Sequence, residues 1–415
     1  MFKNYLICAY KVLMRRKMFT FISLFAISLT LAILLVVSTV ADNYIYPMGP
    51  EKRGQNFLVI NNLDISTESG NASSSSGLGY RFYQDNITRL KTPEKIALYD
   101  DAQRVSSYQQ AGRIELSLRL TDLNYWQILD FDFVKGRPFD QHSFDTGAMQ
   151  AVINQSTATT FFDNQDPIGK KIGVNRQTFT VIGVVKDVSS LEMEAHSDMW
   201  ALYTTQPSTE YQADLLGSWS ALLYHSDSAK LPQIKKQYQQ LLENDVVLVN
   251  TSGFTVAKST IDTRIEKIIR DITGDYSQNS NFNKVGLYTF LTILGFMLLP
   301  AINLINLNVS RVMERASEIG VRKSFGASSN QLAIQFLVEN LVITLIGGII
   351  GFALSIGILS IIESSSFIPD VQFGLRANTL IYGIALVVVF GLLSGVYPAW
   401  KMSKLHPVSA LKGSF

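Results

Sequence analysis

Four long apolar runs without a charged residue divide the chain, at residues 19–41, 285–309, 341–362 and 377–400. Each run is long enough to cross a hydrocarbon layer of about 30 Å as an α-helix. The first run also exceeds the apolar length that is typical of a cleaved signal peptide. Buried helices of a large soluble protein are the alternative, but four such runs in one chain argue against it. The pattern therefore predicts a membrane protein with four transmembrane helices.

The basic residues predict how these helices are oriented. They are concentrated before the first run, between the second and third, and after the fourth: Lys3, Lys11, Arg15, Arg16, Lys17, Arg311, Arg315, Arg322, Lys323, Lys401, Lys404 and Lys412. The short connection at residues 363–376 carries only Arg376. We therefore predict that both termini are cytoplasmic and that the long polar segment lies outside the membrane.

These predictions give a complete domain organisation. The expected spans are residues 18–41, 285–309, 330–362 and 377–400, with a large periplasmic domain at 42–284. The cytoplasmic parts are a lead-in at 1–17, a turn at 310–329 and a tail at 401–415, and the second outer connection is a short loop at 363–376. The lead-in is interpreted either as an amphipathic segment on the membrane surface or as a basic flank that only sets topology.

The outer segment mixes strand and helix patterns, which predicts an α+β domain. Residues 56–61 and 113–122 are predicted strands, and Asn175–Arg176 is the predicted turn of a hairpin. Residues 230–245 predict a surface helix with Leu231, Ile234, Tyr238, Leu241 and Leu242 on one face. The Ser/Gly-rich residues 66–79 are expected to form a mobile loop.

Isoleucines at helical spacing predict a further helix at residues 258–273, shortly before the second apolar run: Ile261, Ile265, Ile268, Ile269 and Ile272. One interpretation is a stalk that joins the outer domain to the second span and transmits motion. The other is an ordinary amphipathic helix that packs on its own domain.

Composition excludes several classes of function. The 415 residues carry a net charge of +2 and 17% charged residues, so no basic field favours nucleic acid. No HExxH motif, Cys/His cluster or GxSxG motif is present, and DPIGKK lacks the spacing of a phosphate-binding loop. Cys8 is the single cysteine, so the outer domain has no disulfide. We expect no catalytic residue, no metal and no cofactor in this chain.

The segment RASEIGVRKSFGAS (315–328) predicts a short charged helix between the second and third runs. Arg315, Glu318 and Arg322 are spaced for i,i+3 and i,i+4 pairs, and Gly326 ends the pattern. Ser328 and Gln331 fit a capping box that begins the next helix. A solvated loop has no need of such a defined charged surface, so the segment is predicted to dock a cytoplasmic partner.

The third run contains small and polar residues that suggest helix contacts. Gly347, Gly348 and Gly351 include a small-xxx-small spacing, which allows two membrane helices to approach closely. Glu339 and Asn340 stand at the beginning of this run, where a structural or interfacial role is expected.

Several blocks resemble one family. SEIGVRKSFGAS (317–328), LAIQFLVENLVITLIGGIIGFALS (332–355) and YPAWKMSKLHPVSALK (397–412) resemble the C-terminal signature of MacB/FtsX-like ABC transporter permeases. In the outer segment, GRPFD (136–140), AVINQSTATTFF (151–162) and DPIGKKIGVNRQTFTVIGVVKDV (166–188) resemble the periplasmic core domain of that family. The blocks occur in the order and topology of the family.

The resemblance implies a permease subunit in a bacterial inner membrane, paired with a second permease that is identical or paralogous. A coupling helix in each subunit would dock on a cytoplasmic ABC ATPase that binds the ATP. The matching positions here are Glu314, Arg315, Glu318, Ile319, Gly320, Arg322, Lys323 and Gly326. Family members export or extract lipophilic, peptide or lipoprotein substrates, in some cases with a periplasmic adaptor, or signal across the membrane. Some relatives fuse the ATPase to the permease; here no Walker motif exists and 17 residues precede the first span, so we expect a separate ATPase chain.

Two other functions compete with transport. In a membrane-anchored sensor, the outer domain would bind a ligand or partner without transport, and the spans would only signal. Such a sensor is expected to carry a cytoplasmic output domain, whereas 15 residues follow Trp400. A membrane enzyme would need a polar catalytic cluster near the membrane, and the sequence offers none.

Overall fold

A computed structural model describes residues 17–109, 112–163, 165–248, 253–274, 284–292 and 328–365, with short stretches between 294 and 326 and between 371 and 396. The chain divides into two compact units. The sheet unit comprises residues 43–282 with 368–372, and the helical unit comprises residues 1–42, 283–367 and 373–415. Residues 1–16 of the predicted lead-in and the whole predicted tail lie outside the described residues.

Two helices among the described residues are long and apolar enough to cross a membrane. They are α1 (Lys17–Ile45) and α8 (Ser329–Ser364), which correspond to the first and third apolar runs. Ser328 caps α8, and its side chain and that of Gln331 form the expected capping box. Residues 284–292 are helical, but most of the second and fourth runs lies outside the described residues. The described part therefore provides two of the four predicted spans.

Fourteen strands of the sheet unit join in one sheet, in the order β14-β2-β3-β13-β4-β6-β11-β8-β10-β7; β1 pairs with β13, β12 with β3, β5 with β6, and β9 with β10. The strands are β1 (Phe57–Ile60), β2 (Leu63–Ser66), β3 (Ser73–Leu78), β4 (Lys95–Asp100), β5 (Gln103–Gln109), β6 (Gly112–Thr121), β7 (Phe133–Gly136), β8 (Gln150–Asn154), β9 (Lys171–Val174), β10 (Gln177–Val185), β11 (Met199–Leu202), β12 (Leu216–Gly217), β13 (Trp219–Tyr224) and β14 (Val256–Lys258). Most pairs are antiparallel, whereas β10 pairs with β8 and β11 with β6 in parallel.

Six helices accompany this sheet: α2 (Tyr80–Asp85), α3 (Tyr125–Ile128), α4 (Gln141–Thr146), α5 (Gln155–Phe162), α6 (Leu231–Gln240) and α7 (Arg264–Thr273). Buried side chains form three apolar clusters. The second cluster packs Tyr99 of β4 with Val152 of β8 and Trp200 of β11, so it spans both halves of the sheet. The α+β prediction is therefore confirmed.

Several local predictions are confirmed. The strands predicted at 56–61 and 113–122 are β1 and β6. The hairpin of β9 and β10 turns at Asn175 and Arg176, whose φ angles of 48° and 64° are those of a tight two-residue turn. All five apolar residues predicted on one face of residues 230–245 are buried.

One prediction is wrong, and a second is correct only in part. Residues 73–78 of the expected loop form β3, which pairs with β2 and, at its end, with β12 and β13. The helix expected at 258–273 begins only at Arg264, because residues 256–258 are drawn into β14 and Thr263 caps the helix through a capping box with Glu266. The isoleucine stripe is also not its buried face: Ile268 is buried, but Ile265 and Ile272 are exposed.

Candidate functional site

The predicted coupling residues are described only at their end. Gly326 is exposed and has a φ of +90°, a conformation that L side chains rarely adopt, directly before the cap of α8. Glu314, Arg315, Glu318, Ile319, Gly320, Arg322 and Lys323 lie outside the described residues. Their docking role stays a prediction.

The predicted glycine interface lies where α8 approaches α1. A Cβ added at Gly347 would lie 2.6 Å from the side chain of Ile27, and one at Gly351 would lie 2.7 Å from the carbonyl oxygen of Ser28. Gly348 is buried as well. A side chain at Gly351 would therefore collide with the backbone of α1, and one at Gly347 would collide with the side chain of Ile27.

The sheet unit contains a cluster of buried charges that the sequence analysis did not single out. We call Glu51, Glu194, Arg264 and Lys267 the Arg264 cluster. Arg264 and Lys267 lie on α7, Glu51 follows α1, and Glu194 lies between β10 and β11. Glu51 is 0% exposed and Arg264 is 6% exposed, so their ion pair is shielded from water. A buried charge of this kind is tolerated only with a full set of partners.

Arg264 joins three separate segments. Its guanidinium pairs with Glu51, its Nε donates to the carbonyl oxygen of Tyr44 at 2.8 Å, and its Nη2 donates to that of Leu191 at 2.7 Å. Tyr44 is in the last turn of α1. A planar fork with several donors suits this task, which one ammonium group could not perform. The end of α1, the segment after it and the loop before β11 are thus fixed to α7.

Glu51 adds contacts to the same loop. Its Oε1 accepts hydrogen bonds from the backbone N of Glu194 at 2.7 Å and of Ala195 at 2.8 Å. Its own backbone N donates to Glu192 Oε2 at 2.9 Å. Burial raises the pKa of Glu192 to about 7, although a hydrogen bond from the Gly49 backbone opposes this shift.

Lys267 lies one turn further along α7 and pairs with Glu194 at 3.2 Å and with Asp271 at 3.3 Å. Burial opposes both charges, yet Glu194 and Asp271 raise the pKa of Lys267 above its ordinary value, and Lys267 lowers that of Glu194. Tyr99 of β4 also hydrogen-bonds to Glu194. Both groups of the pair are therefore ionised at neutral pH.

Arg119 of β6 fixes the loop from the sheet side. It donates to the carbonyl oxygens of Met193 at 3.0 Å and His196 at 3.2 Å, and to that of Asp100 at 2.9 Å. The start of α7 is attached to the sheet as well, because Asp262 exchanges backbone hydrogen bonds with Val59 of β1. Asp262 also pairs with Arg270 at 2.8 Å. The N-terminal part of α7 therefore packs on its own domain through charged contacts.

The Arg264 cluster was missed because its members are far apart in the sequence and each resembles an ordinary surface charge. The sequence places Arg264, Lys267 and Ile268 on one side of a helix, but only the structure shows that this side is the buried one.

Comparison with known proteins places the chain in a family. Residues 20–241 match the model of the MacB-like periplasmic core domain, and residues 290–407 match that of the FtsX-like permease C-terminal region. The chain belongs to the MacB/FtsX-like ABC transporter permeases. The resemblance stated from the sequence is therefore confirmed.

Two curated relatives illustrate the range of the family. An uncharacterized ABC transporter permease, YknZ of Bacillus subtilis, is 24% identical over 88% of this chain and 86% of its own length. The macrolide export ATP-binding/permease protein MacB of Bdellovibrio bacteriovorus is 26% identical over 86% of this chain and 53% of its own. The chain thus spans about half the length of that MacB relative.

Among solved structures, the extracellular domain of YknZ has a TM-score of 0.36 at 14% identity, covering 49% of this chain and 99% of that one. The periplasmic region of MacB from Actinobacillus actinomycetemcomitans has a TM-score of 0.37 at 15% identity, covering 54% and 95%.

Family membership fixes the general role of this permease. It is a component of an ABC transporter, with a large periplasmic α+β domain, and it implies a cytoplasmic ATPase partner and a bacterial inner membrane. In such a protein, the Arg264 cluster lies where the chain leaves α1 and where α7 leads toward the second apolar run.

Proposed function

We propose that the permease transmits ATP-driven motion from a separate cytoplasmic ATPase to its periplasmic domain, in order to export or extract a lipophilic, peptide or lipoprotein substrate. In this proposal the four spans are residues 18–41, 285–309, 330–362 and 377–400, and both termini are cytoplasmic. The residues from Glu314 to Gly326 dock on the ATPase. A second permease, identical or paralogous, completes the membrane part, and a periplasmic adaptor or a lipoprotein is the further partner that this role would call for.

The observation that supports this proposal is the Arg264 cluster. Two chain segments connect the sheet unit to predicted spans, one through α1 and one through α7. Arg264 joins them directly, Glu51 and Lys267 each attach one of them to the loop before β11, and Arg119 attaches that loop to β6. Buried, multiply paired charges resist rearrangement, since leaving one of them unpaired costs about 3–5 kcal/mol. A movement of either segment is therefore passed to the sheet rather than absorbed locally.

The test is to replace Arg264 by Lys in the full-length permease bound to its ATPase. The lysine keeps the charge beside Glu51 but cannot also reach Tyr44 and Leu191, so about 1.5–3 kcal/mol is lost per missing charge-assisted bond. Spin labels at the exposed positions 108 in the sheet unit and 361 on α8, in a Cys8→Ser background, report movement of the sheet unit relative to α8. We expect ATP to change the distance between the two labels in the wild type and to change it much less in Arg264→Lys.

The matched control is Arg113→Lys, because Arg113 pairs with Glu115 on the exposed surface. It should respond to ATP as the wild type does. An unaltered response in Arg264→Lys would show that motion does not pass through this cluster. An ATP-insensitive wild type would overturn mechanical transmission as a whole.

A further inference from the structure

Asn340 makes a buried polar contact inside the helical unit. It lies in the first half of α8 and is 5% exposed. Its side-chain Nδ2 donates to the backbone carbonyl oxygen of Gly391 at 2.7 Å. Residues 391–392 and 395–396 are helical and belong to the last apolar run. The contact therefore joins α8 to that run at one defined backbone atom.

Two glycines provide the space for this contact. A Cβ at Gly395 would lie 2.9 Å from Nδ2 of Asn340, and a Cβ at Gly391 would lie 3.4 Å from Cβ of Thr344. A side chain at Gly395 would therefore push the amide away. Burying an amide in apolar surroundings costs free energy unless the amide has a hydrogen-bond partner. The carbonyl of Gly391 therefore also stabilises the buried side chain of Asn340.

We propose that Asn340 is a positioning residue that makes α8 and the last apolar run move as one body. The inference rests on the proposed function, because α8 begins directly after the segment assigned to ATPase docking. Apolar contacts such as that of Leu341 with Gly391 allow helices to slide along each other, since they have little directional preference. A hydrogen bond to a single carbonyl oxygen fixes the register. Asn340 thus carries a displacement of α8 to the last run.

The test compares Asn340→Leu with Thr344→Val. Leu has nearly the shape of Asn but no donor. Thr344 is a matched control, because it is buried on the same helix beside Gly391 and its hydroxyl donates to the Asn340 carbonyl at 2.9 Å, within α8. We measure ATPase stimulation by the permease in liposomes. Asn340→Leu should lower it by about threefold, the equivalent of one average interhelical bond of about 0.6 kcal/mol, and Thr344→Val should leave it unchanged.

A cross-link provides a rescue. Cysteines at positions 344 and 391 would place their Cβ atoms about 3.4 Å apart, close to disulfide geometry. In a Cys8→Ser background, oxidation of this pair should restore stimulation in Asn340→Leu, and reduction should return it to the lowered level. If Asn340→Leu does not assemble, Asn340→Ala replaces it, because Ala also removes the donor and adds no bulk beside Gly395. The inference is overturned if the Asn340 variant stimulates like Thr344→Val or if oxidation restores nothing.

The cross-linking yield separates this inference from the proposed function. Without any ATPase, the 344–391 disulfide should form more completely when Asn340 is retained than in the Asn340→Leu variant of the same background, because Asn340 fixes the register. Equal disulfide yields with and without Asn340 overturn its positioning role, even if the proposed transmission of ATP-driven motion is correct. A wild-type permease that does not alter the ATPase rate overturns the proposed function, while unequal yields still support the positioning role.

Discussion

At the scale of single residues, two buried aspartates accept hydrogen bonds from backbone N–H groups at the centre of the sheet. In a regular strand pair, carbonyl oxygens would accept these bonds. Strands β4 and β6 are in register only at Tyr99 and Thr121. On one side of this pair the backbone N of Leu98 donates to the Asp122 carboxylate at 2.9 Å, and on the other that of Leu120 donates to Asp100 at 2.6 Å. Burial raises the pKa of each carboxyl to about 7, although these backbone hydrogen bonds oppose the shift. The two strands are thus held by groups that titrate near neutral pH.

These pKa values predict that stability falls as the pH rises toward neutrality. The folded state keeps Asp100 and Asp122 protonated up to pH of about 7, whereas an unfolded Asp loses its proton near 3.9. Between these two pKa values the folded state binds more protons than the unfolded state. The free energy of unfolding that this binding contributes is therefore lost as the pH rises through about 7. Melting temperatures of the purified permease, measured from mildly acidic to mildly basic pH, should fall with pH, and less steeply in Asp100→Asn and Asp122→Asn.

Asp140→Asn is the control for this experiment. The Asp140 carboxylate accepts hydrogen bonds from Ser143 and pairs with Arg137, and these contacts hold its pKa well below the ordinary value. The Asp140 carboxyl titrates below the tested pH range. The melting temperature of Asp140→Asn should therefore fall with pH as steeply as that of the wild type. Equal slopes in all four proteins would contradict the assignment of Asp100 and Asp122.

At the scale of elements, α8 offers a direct comparison of two glycines. Gly351 lies against α1, where a Cβ would come 2.7 Å from Ser28 O, whereas nothing lies within 4 Å of a Cβ at Gly357. Gly351→Ala must separate the two helices and lose their packing, so its melting temperature should fall by several degrees. Gly357→Ala should match the wild type or exceed it, because Ala favours the helix by about 1 kcal/mol. Thermal melts of the detergent-solubilised protein measure both, and equal effects would show that α1 and α8 do not meet at Gly351.

Elements with a local pattern could be predicted from the sequence. The apolar face of α6, the capping box before α8 and the turn at Asn175–Arg176 each depend on residues that are close in sequence. β3 could not be predicted, because its serines at 73–76 are exposed and show no apolar alternation, and their strand state comes from pairing with β2. The buried face of α7 could not be predicted either, since its partners Glu51 and Glu194 come from distant parts of the chain.

At the scale of the whole molecule, the proposed transmission would pass through two polar contacts, each inside one of the two compact units. Arg264 connects the end of α1 to α7 in the sheet unit, and Asn340 connects α8 to the last apolar run in the helical unit. Apolar packing accompanies both but does not fix register.

The charged segment before α8 yields the last prediction. Reversing Glu318 and Arg322 together, as Glu318→Arg with Arg322→Glu, keeps an oppositely charged i,i+4 pair and so preserves the expected helix. It reverses the charge pattern that a docking ATPase would meet, and charge reversal at an interface suppresses binding. ATPase stimulation in liposomes should therefore fall strongly, while membrane insertion stays at the wild-type level. Lys258→Glu, an exposed change in the sheet unit, should leave stimulation intact. Unchanged stimulation by the double variant would mean that residues 314–326 do not hold the ATPase, and the coupling segment would then have to be sought elsewhere on the cytoplasmic side.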